Sequence, residues 1–226
     1  MAYPTVVMES LVRRELQAID TKWSTPQLLD ALLRALTGDG PALSTAPIGG
    51  TVSPEIALVV TTSGSTGSPK SVALSARALI ANARATHEFI GAKVGERWSL
   101  LLPTSHIAGL NILIRSIELG TVPVTVENTA DYTAIVPTQL HRALTGDTKL
   151  LNHLKGCRTI LVGGAPLSDE LRKLASAKGL NLVTTYGATE TCGGVVYNGA
   201  PLAGVSISIR NGRVALTGPQ LASGYL

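Results

Sequence analysis

The sequence has 226 residues, of which 45% are hydrophobic and 15% charged, and its formal net charge is +4. The length suits one large domain or two small ones, and the composition excludes a disordered chain. The positive charge is spread thinly, with Arg13-Arg14 the longest basic run, so nucleic acid is not expected as a partner.

No apolar run reaches the roughly 18 residues of a membrane span, so no stable membrane insertion is expected. The first twenty residues lack the order of a secretory signal. Cys157 and Cys192 have neither C-x-x-C spacing nor a histidine cluster, which argues against structural zinc. A reduced, cytoplasmic setting is the default reading, with one disulfide left open.

In chain order, residues 7–20 and 26–36 read as helices, the second opened by Pro26 and stopped by Gly38. Residues 38–54 read as loop. IALVVT at 56–61 reads as a buried strand. A polar loop follows, then a short strand at 72–74. Ser75 caps a helix that runs to about Ile90 and ends at Gly91. Strands are expected at 98–102, 122–126, 132–136, 159–162 and 182–185. Helices are expected at 107–119, from Pro137, and after Ser168, where Asp169 and Glu170 at the start and Lys178 at the end suit the helix dipole. Asn211-Gly212 between two alternating runs signals a hairpin. The whole reads as an α/β fold, with layered βα sheets covered by helices and a small antiparallel β element near the C-terminus.

The sharpest chemical signal is TTSGSTGSPK at 61–70, directly after a buried strand. Its glycines let backbone N–H groups converge on an anion, its hydroxyls add donors and its lysine adds positive charge. It fits neither G-x-x-x-x-G-K-[ST] nor G-x-G-x-x-G. The residues alone leave phosphate binding and a plain Ser/Gly surface loop both open.

TSGSTGSPK resembles the signature loop of the acyl-adenylate-forming superfamily, which includes acyl-CoA synthetases, luciferases and nonribosomal peptide adenylation domains. The resemblance implies that Thr62, Ser63, Gly64, Ser65, Thr66, Gly67 and Lys70 hold the β- and γ-phosphates of ATP. TTYGATET at 184–191 resembles the superfamily's Y-G-x-T-E motif. It implies Tyr186 against adenine between Thr185 and Gly187, Thr189 at the phosphate and the activated carboxylate, and Glu190 on Mg²⁺. LVGGAPLS at 161–168 resembles the stretch that runs along the adenine, which adds Gly163, Gly164 and Ala165.

LLPTSHIAGLNILIRSIELGTVPV at 101–124 resembles the acyl-pocket motif, in the version of o-succinylbenzoate:CoA ligases; the runs at 71–79 and 135–144 point the same way. It implies His106 at the reacting carboxylate, which with Lys70, Thr189 and Glu190 completes the expected catalytic set. Gly109, Leu110, Thr138, Gly187 and Gly193 are the further candidate substrate contacts, with Ile107 and Ile112 as apolar wall. Arg115 is a candidate for a second carboxylate, with a solvent-facing or salt-bridged arginine as the alternatives. His87, His141 and His153 read as ordinary helix residues, and Trp23 and Trp98 as core or boundary anchors.

The implied activity is AMP-forming carboxylate:CoA ligation in menaquinone biosynthesis, using ATP, Mg²⁺, CoA as cosubstrate and a small aromatic dicarboxylic acid. The alternatives are another aryl or acyl-CoA synthetase, or a non-catalytic nucleotide-binding module. An oligomer stays open. Relatives place a T-G-D motif just after a stretch like LTGPQLASGYL; the TGD strings at 37–39 and 145–147 come too early to be it. The expectation is therefore a large N-terminal ATP- and acyl-binding domain over 1–226 without its C-terminal lid, weak in ATP binding and unable to complete turnover. Its expected parts are a helical lead-in (1–55), an α/β core (56–190) and a β-rich segment (191–226).

Overall fold

The computed structural model of the chain describes residues 13–62 and 69–226. Strand β1 (Arg14–Ala18), helix α1 (Thr25–Thr37), strands β2 (Ala42–Ser44), β3 (Thr51–Val52), β4 (Ile56–Thr62) and β5 (Lys70–Ser75) and helix α2 (Ala76–Ile90) build the first layer. A second layer follows with β6 (Trp98–Ser99), α3 (Ile107–Glu118), β7 (Tyr132–Ile135), α4 (Pro137–Thr145), α5 (Thr148–Gly156), β8 (Thr159–Val162), α6 (Asp169–Ala177) and β9 (Leu182–Ala188). A 3₁₀ turn (Thr189–Thr191) leads into β10 (Gly193–Tyr197) and β11 (Ala200–Pro201). The hairpin β12 (Ser206–Arg210) and β13 (Arg213–Thr217) stands apart as its own sheet, and β14 (Gly224–Tyr225) returns to the first.

The first sheet has the order β14-β5-β4-β2-β1-β3 and the second β11-β10-β9-β8-β7-β6. The second is parallel from β9 to β6, as alternating strands and helices require. The first is mixed: β4 and β5 pair antiparallel on either side of the Ser/Gly-rich sequence at 63–69, while β1, β2 and β4 run parallel.

Several expected elements are corrected. Residues 14–18 form β1 rather than the end of a 7–20 helix, whose first part lies outside the described residues. Leu16 is buried between outward-facing Glu15 and Gln17, a period of two. The Arg14 guanidinium donates to the carbonyls of Ala35 (2.7 Å), Gly40 (2.8 Å) and Ile56 (3.0 Å), three segments that only a strand here draws together. The lead-in is thus β-rich, because the stretch expected to be loop also holds β2 and β3. The 98–102 strand shrinks to two residues, and 122–126 contributes only a bridge between Val124 and Ser99.

Local signals acted as their chemistry dictates elsewhere. The Ser75 and Ser168 side chains accept from Ala78 N and Leu171 N (3.2 Å each) at the starts of α2 and α6. Asn211 and Gly212 both take positive φ in the hairpin turn, 51° and 72°.

The layers put α3 at the centre. Leu110, Leu113 and Ile114 pack with α1, α2 and the first sheet. Ile112 packs on the second sheet with Trp98, Tyr132, Leu161 and Tyr197. The far side of that sheet, through Ile135, Ile160 and Val162, is covered by α4, α5 and α6. A helix clasped between two sheets must be apolar nearly all round, and α3 has three buried polar exceptions, Asn111, Arg115 and Ser116. Leu113→Ala should therefore cost about 2–5 kcal/mol of unfolding free energy in urea, whereas Leu33→Ala on exposed α1 surface should cost under about 0.5 kcal/mol. Equal losses would contradict the clasped position of α3.

Candidate active site

Two cavities meet along one backbone ridge. The first, about 260 Å³, lies between α3 and the second sheet, with Ile107, Ala108 and Arg115 on the helix side and Ala134, Gly193 and Tyr197 opposite. The second, about 490 Å³, has Ala165, Leu167, Arg172, Tyr186 and Val196 in its wall. Gly164, Thr185 and Gly187 line both.

Glycine makes the ridge thin. A Cβ on Gly187 would overlap the Gly193 carbonyl, and one on Gly163 would overlap Thr185 Oγ1. Gly164 sits at φ 82°, a left-handed conformation that glycine adopts without strain. The adjoining strand is held from the helices. Asn82 Nδ2 donates to the Gly194 carbonyl (2.9 Å) and Asn111 Nδ2 to the Cys192 carbonyl (2.8 Å). Gly193, at φ 103°, has no room for a side chain beside Asn111.

The first cavity's charge is unusual. Arg115 is buried, and none of the ion pairs among the described residues involves it. Its Nη2 donates to Tyr197 Oη (3.2 Å) and Thr86 Oγ1 (3.4 Å), its guanidinium lies 5.0 Å from the Trp98 ring centroid, and its Nε has no hydrogen-bond partner among the described residues. Burial lowers its pKa, yet a guanidinium stays charged. Behind it, Trp98 Nε1 donates to His87 Nε2 (3.3 Å). Burial first, then Arg115, pulls His87 down to about 4, so that histidine is neutral.

Lys70 and Glu190, far apart in sequence, meet through Tyr225. Lys70 Nζ lies 5.5 Å from the Tyr225 ring centroid, and the Tyr225 hydroxyl donates to Glu190 Oε1 (2.9 Å). Thr62 is paired with Lys70 across β4 and β5. Ser63, Gly64, Ser65, Thr66 and Gly67 lie outside the described residues.

Other expected residues are redistributed. Gly163, Gly164, Thr185, Gly187, Thr189 and Gly193 line the first cavity, and Ala165 and the exposed Tyr186 line the second. Leu110 is corrected to core: it packs toward the first sheet. Gly109 is corrected to close packing, since a Cβ there would overlap the Pro103 carbonyl. Ile112 belongs to the core on the second sheet, and Thr138 is exposed and does not line the cavity. His106 is exposed as the N-cap of α3, one residue before the lining Ile107. Burial pushes the Cys157 and Cys192 thiols up to about 12, which disarms them as nucleophiles.

Sequence reading missed Tyr197, Asn111, Arg172 and Tyr225. Asn111 carried a signal, as a polar residue four before Arg115 in an apolar helix. Tyr197 carried none, because an aromatic ending an apolar strand is ordinary core.

Two sheets clasping a buried helix, with paired cavities at the strand ends, define the large-domain fold of acyl-adenylate-forming enzymes. The chain belongs to the AMP-binding enzyme family, which matches residues 9–226. Among its relatives is a probable 2-succinylbenzoate–CoA ligase of Mycobacterium tuberculosis, 39% identical over 232 residues, covering 89% of this chain and 60% of the relative. The fold is similar to that of o-succinylbenzoate CoA synthetase (MenE) from Bacillus subtilis. Its complex with the acyl-adenylate OSB-AMP has a TM-score of 0.68 at 24% identity over 93% of this chain and 56% of that one. Its complex with ATP and magnesium has a TM-score of 0.68 at 23% identity over 92% and 56%. The chain therefore spans little more than half the length of these proteins.

The thin ridge yields a test independent of any ligand. Gly187→Ala forces backbone apart and should cost about 1–3 kcal/mol in chemical unfolding. Gly156→Ala, at the end of α5 with open space around it, should be neutral or slightly stabilising. An unperturbed Gly187→Ala protein would refute the close approach of β9 and β10.

Proposed function

We propose that this chain is the ATP- and acyl-binding part of an AMP-forming carboxylate:CoA ligase that activates 2-succinylbenzoate in menaquinone biosynthesis. The observation that carries the reading is Arg115. A buried cation without a carboxylate is costly, and an acid substrate with a second, non-reacting carboxylate supplies the missing partner. The ring fits against Ile107 and Ala134, and thin glycine backbone lets the reacting carboxylate approach the nucleotide side. The similarity to the M. tuberculosis ligase supports the same acid.

In this reading ATP's adenosine occupies the second cavity, with adenine against Tyr186 and the Gly163–Ala165 turn. Lys70, with Thr62, Ser63, Gly64, Ser65, Thr66 and Gly67, holds the β- and γ-phosphates. The substrate carboxylate attacks the α-phosphorus; the bond to the β-phosphate breaks and pyrophosphate leaves. The CoA thiol then attacks the acyl carbonyl and AMP leaves. His106 and Thr189 orient the reacting carboxylate, and catalysis is positioning plus charge neutralisation. Glu190 fits a Mg²⁺ ligand: it is a half-buried carboxylate, a hard oxygen donor with one oxygen bonded to Tyr225. When bound, Mg²⁺ would neutralise charge on the phosphate oxygens. CoA is the cosubstrate. The free, buried cysteines are in keeping with a cytoplasmic location, and among the described residues no helix is long and apolar enough to cross a membrane.

The test uses the full reading frame containing this chain. kcat/KM for 2-succinylbenzoate should exceed that for benzoate, 4-phenylbutyrate and octanoate. Arg115→Met should lower the dianion's value about 10–100-fold, the scale of a charge-assisted hydrogen bond. If the monoacids match the dianion in the unaltered enzyme, the substrate is another acid and the 2-succinylbenzoate assignment fails.

A further inference from the structure

Arg115 is bonded to two hydroxyls that also bond each other. Tyr197 Oη and Thr86 Oγ1 are 2.9 Å apart, and Arg115 Nη2 reaches both. A guanidinium has donors and no acceptor, so both oxygens accept from it. Two hydroxyl protons remain, and the bond between the hydroxyls uses one. The other has no acceptor within the trio.

Position decides which hydroxyl keeps the spare proton. Both side chains are fully buried, but Tyr197 forms part of the cavity wall and Thr86 does not. With Thr86 donating to Tyr197, the phenol oxygen accepts twice, its full capacity, and its own hydrogen is free to point into the cavity beside Arg115. The ring is held in that pose. Phe89 meets it edge-on at 5.2 Å, and the bare backbone of Gly194 makes way for it, since a Cβ there would come within 3.0 Å of Tyr197 Cε1.

We infer that Tyr197 is a specificity-determining residue: it donates its phenolic hydrogen to the ring carboxylate that Arg115 neutralises, and Thr86 orients it. The inference rests on the proposed reading of Arg115. It explains how one cation seats a flat carboxylate: Arg115 supplies charge, and the phenol supplies a second, directional donor that a carboxylate oxygen accepts.

The experiment compares 2-succinylbenzoate with 4-oxo-4-phenylbutanoate, the same skeleton without the ring carboxylate, in the full reading frame. The readout is the ratio of the two KM values, with kcat recorded separately. Tyr197→Phe should raise the dianion-to-monoacid KM ratio at least about tenfold, with the change in KM rather than kcat. Thr86→Val should move the ratio the same way by a smaller factor. An unchanged ratio in Tyr197→Phe, or an equal loss for both acids, would show that the phenol serves packing alone and would overturn the inference. Arg115→Met separates the two ideas. If it abolishes discrimination while Tyr197→Phe keeps it, only the role of Tyr197 falls. If it too keeps discrimination, the reading of Arg115 falls. Circular dichroism checks that each variant folds. Should Tyr197→Phe not fold, Thr86→Val decides by the same ratio, and an unchanged value there overturns the inference.

Discussion

A single guanidinium buried between two sheets, with no acid paired to it among the described residues, constrains much of this molecule. Helix α3 can be clasped on both faces because it is largely apolar, and Arg115 is its one charged residue inside the clasp. The surroundings accommodate the charge without cancelling it. Trp98 offers its ring face, Tyr197 and Thr86 offer oxygens, and the nearby His87 stays neutral. What results is a rigid cationic spot in the wall of a small, largely apolar cavity, which favours a ligand that is flat, apolar and carries an anion at one end.

The second constraint is how near two ligands can come. The cavities share Gly164, Thr185 and Gly187, so groups on the two sides are separated by little more than backbone. That thinness needs glycine at 163, 187 and 193, where a Cβ would overlap a neighbouring atom. Asn82 and Asn111 then tie the Gly194 carbonyl in β10 and the Cys192 carbonyl just before it to α2 and α3. The helix that carries Arg115 therefore also holds the ridge. Under the proposed function, an acyl pocket and a nucleotide cleft built this way would hold their ligands side by side without any moving nucleophile, which suits a reaction driven by positioning.

Much of the glycine ridge and its flank was legible in the sequence, because glycine, hydroxyl and aromatic residues at strand ends are local signals: Gly163, Gly164, Tyr186 and Gly187 all reach a cavity. The cavity beside α3 was less legible. Arg115 stood out as a charge in an apolar helix, but Leu110 and Ile112 could not be assigned to a face, since a helix buried all round has no polar side to set its orientation. Tyr197 needed the β9–β10 pairing before it could be seen next to Arg115. The β1 strand was missed because its short run mimics a helix, and its partner β2 is only three residues long. Tyr225 reaches Glu190 and Lys70 only through the antiparallel pairing of β14 with β5, a contact between residues some 150 positions apart in sequence that no local pattern encodes.

The account stands on Arg115 meeting an anion in the first cavity. The direct measurement is a ¹³C NMR titration of 2-succinylbenzoate, labelled at the ring carboxylate and bound to the protein. A neighbouring arginine lowers a carboxyl pKa by about 1–3 units, whereas burial without a cation raises it. The bound ring carboxylate should therefore titrate at least about one unit below the free acid. A value at or above that of the free acid would mean that the carboxylate does not lie against Arg115, and would contradict the account.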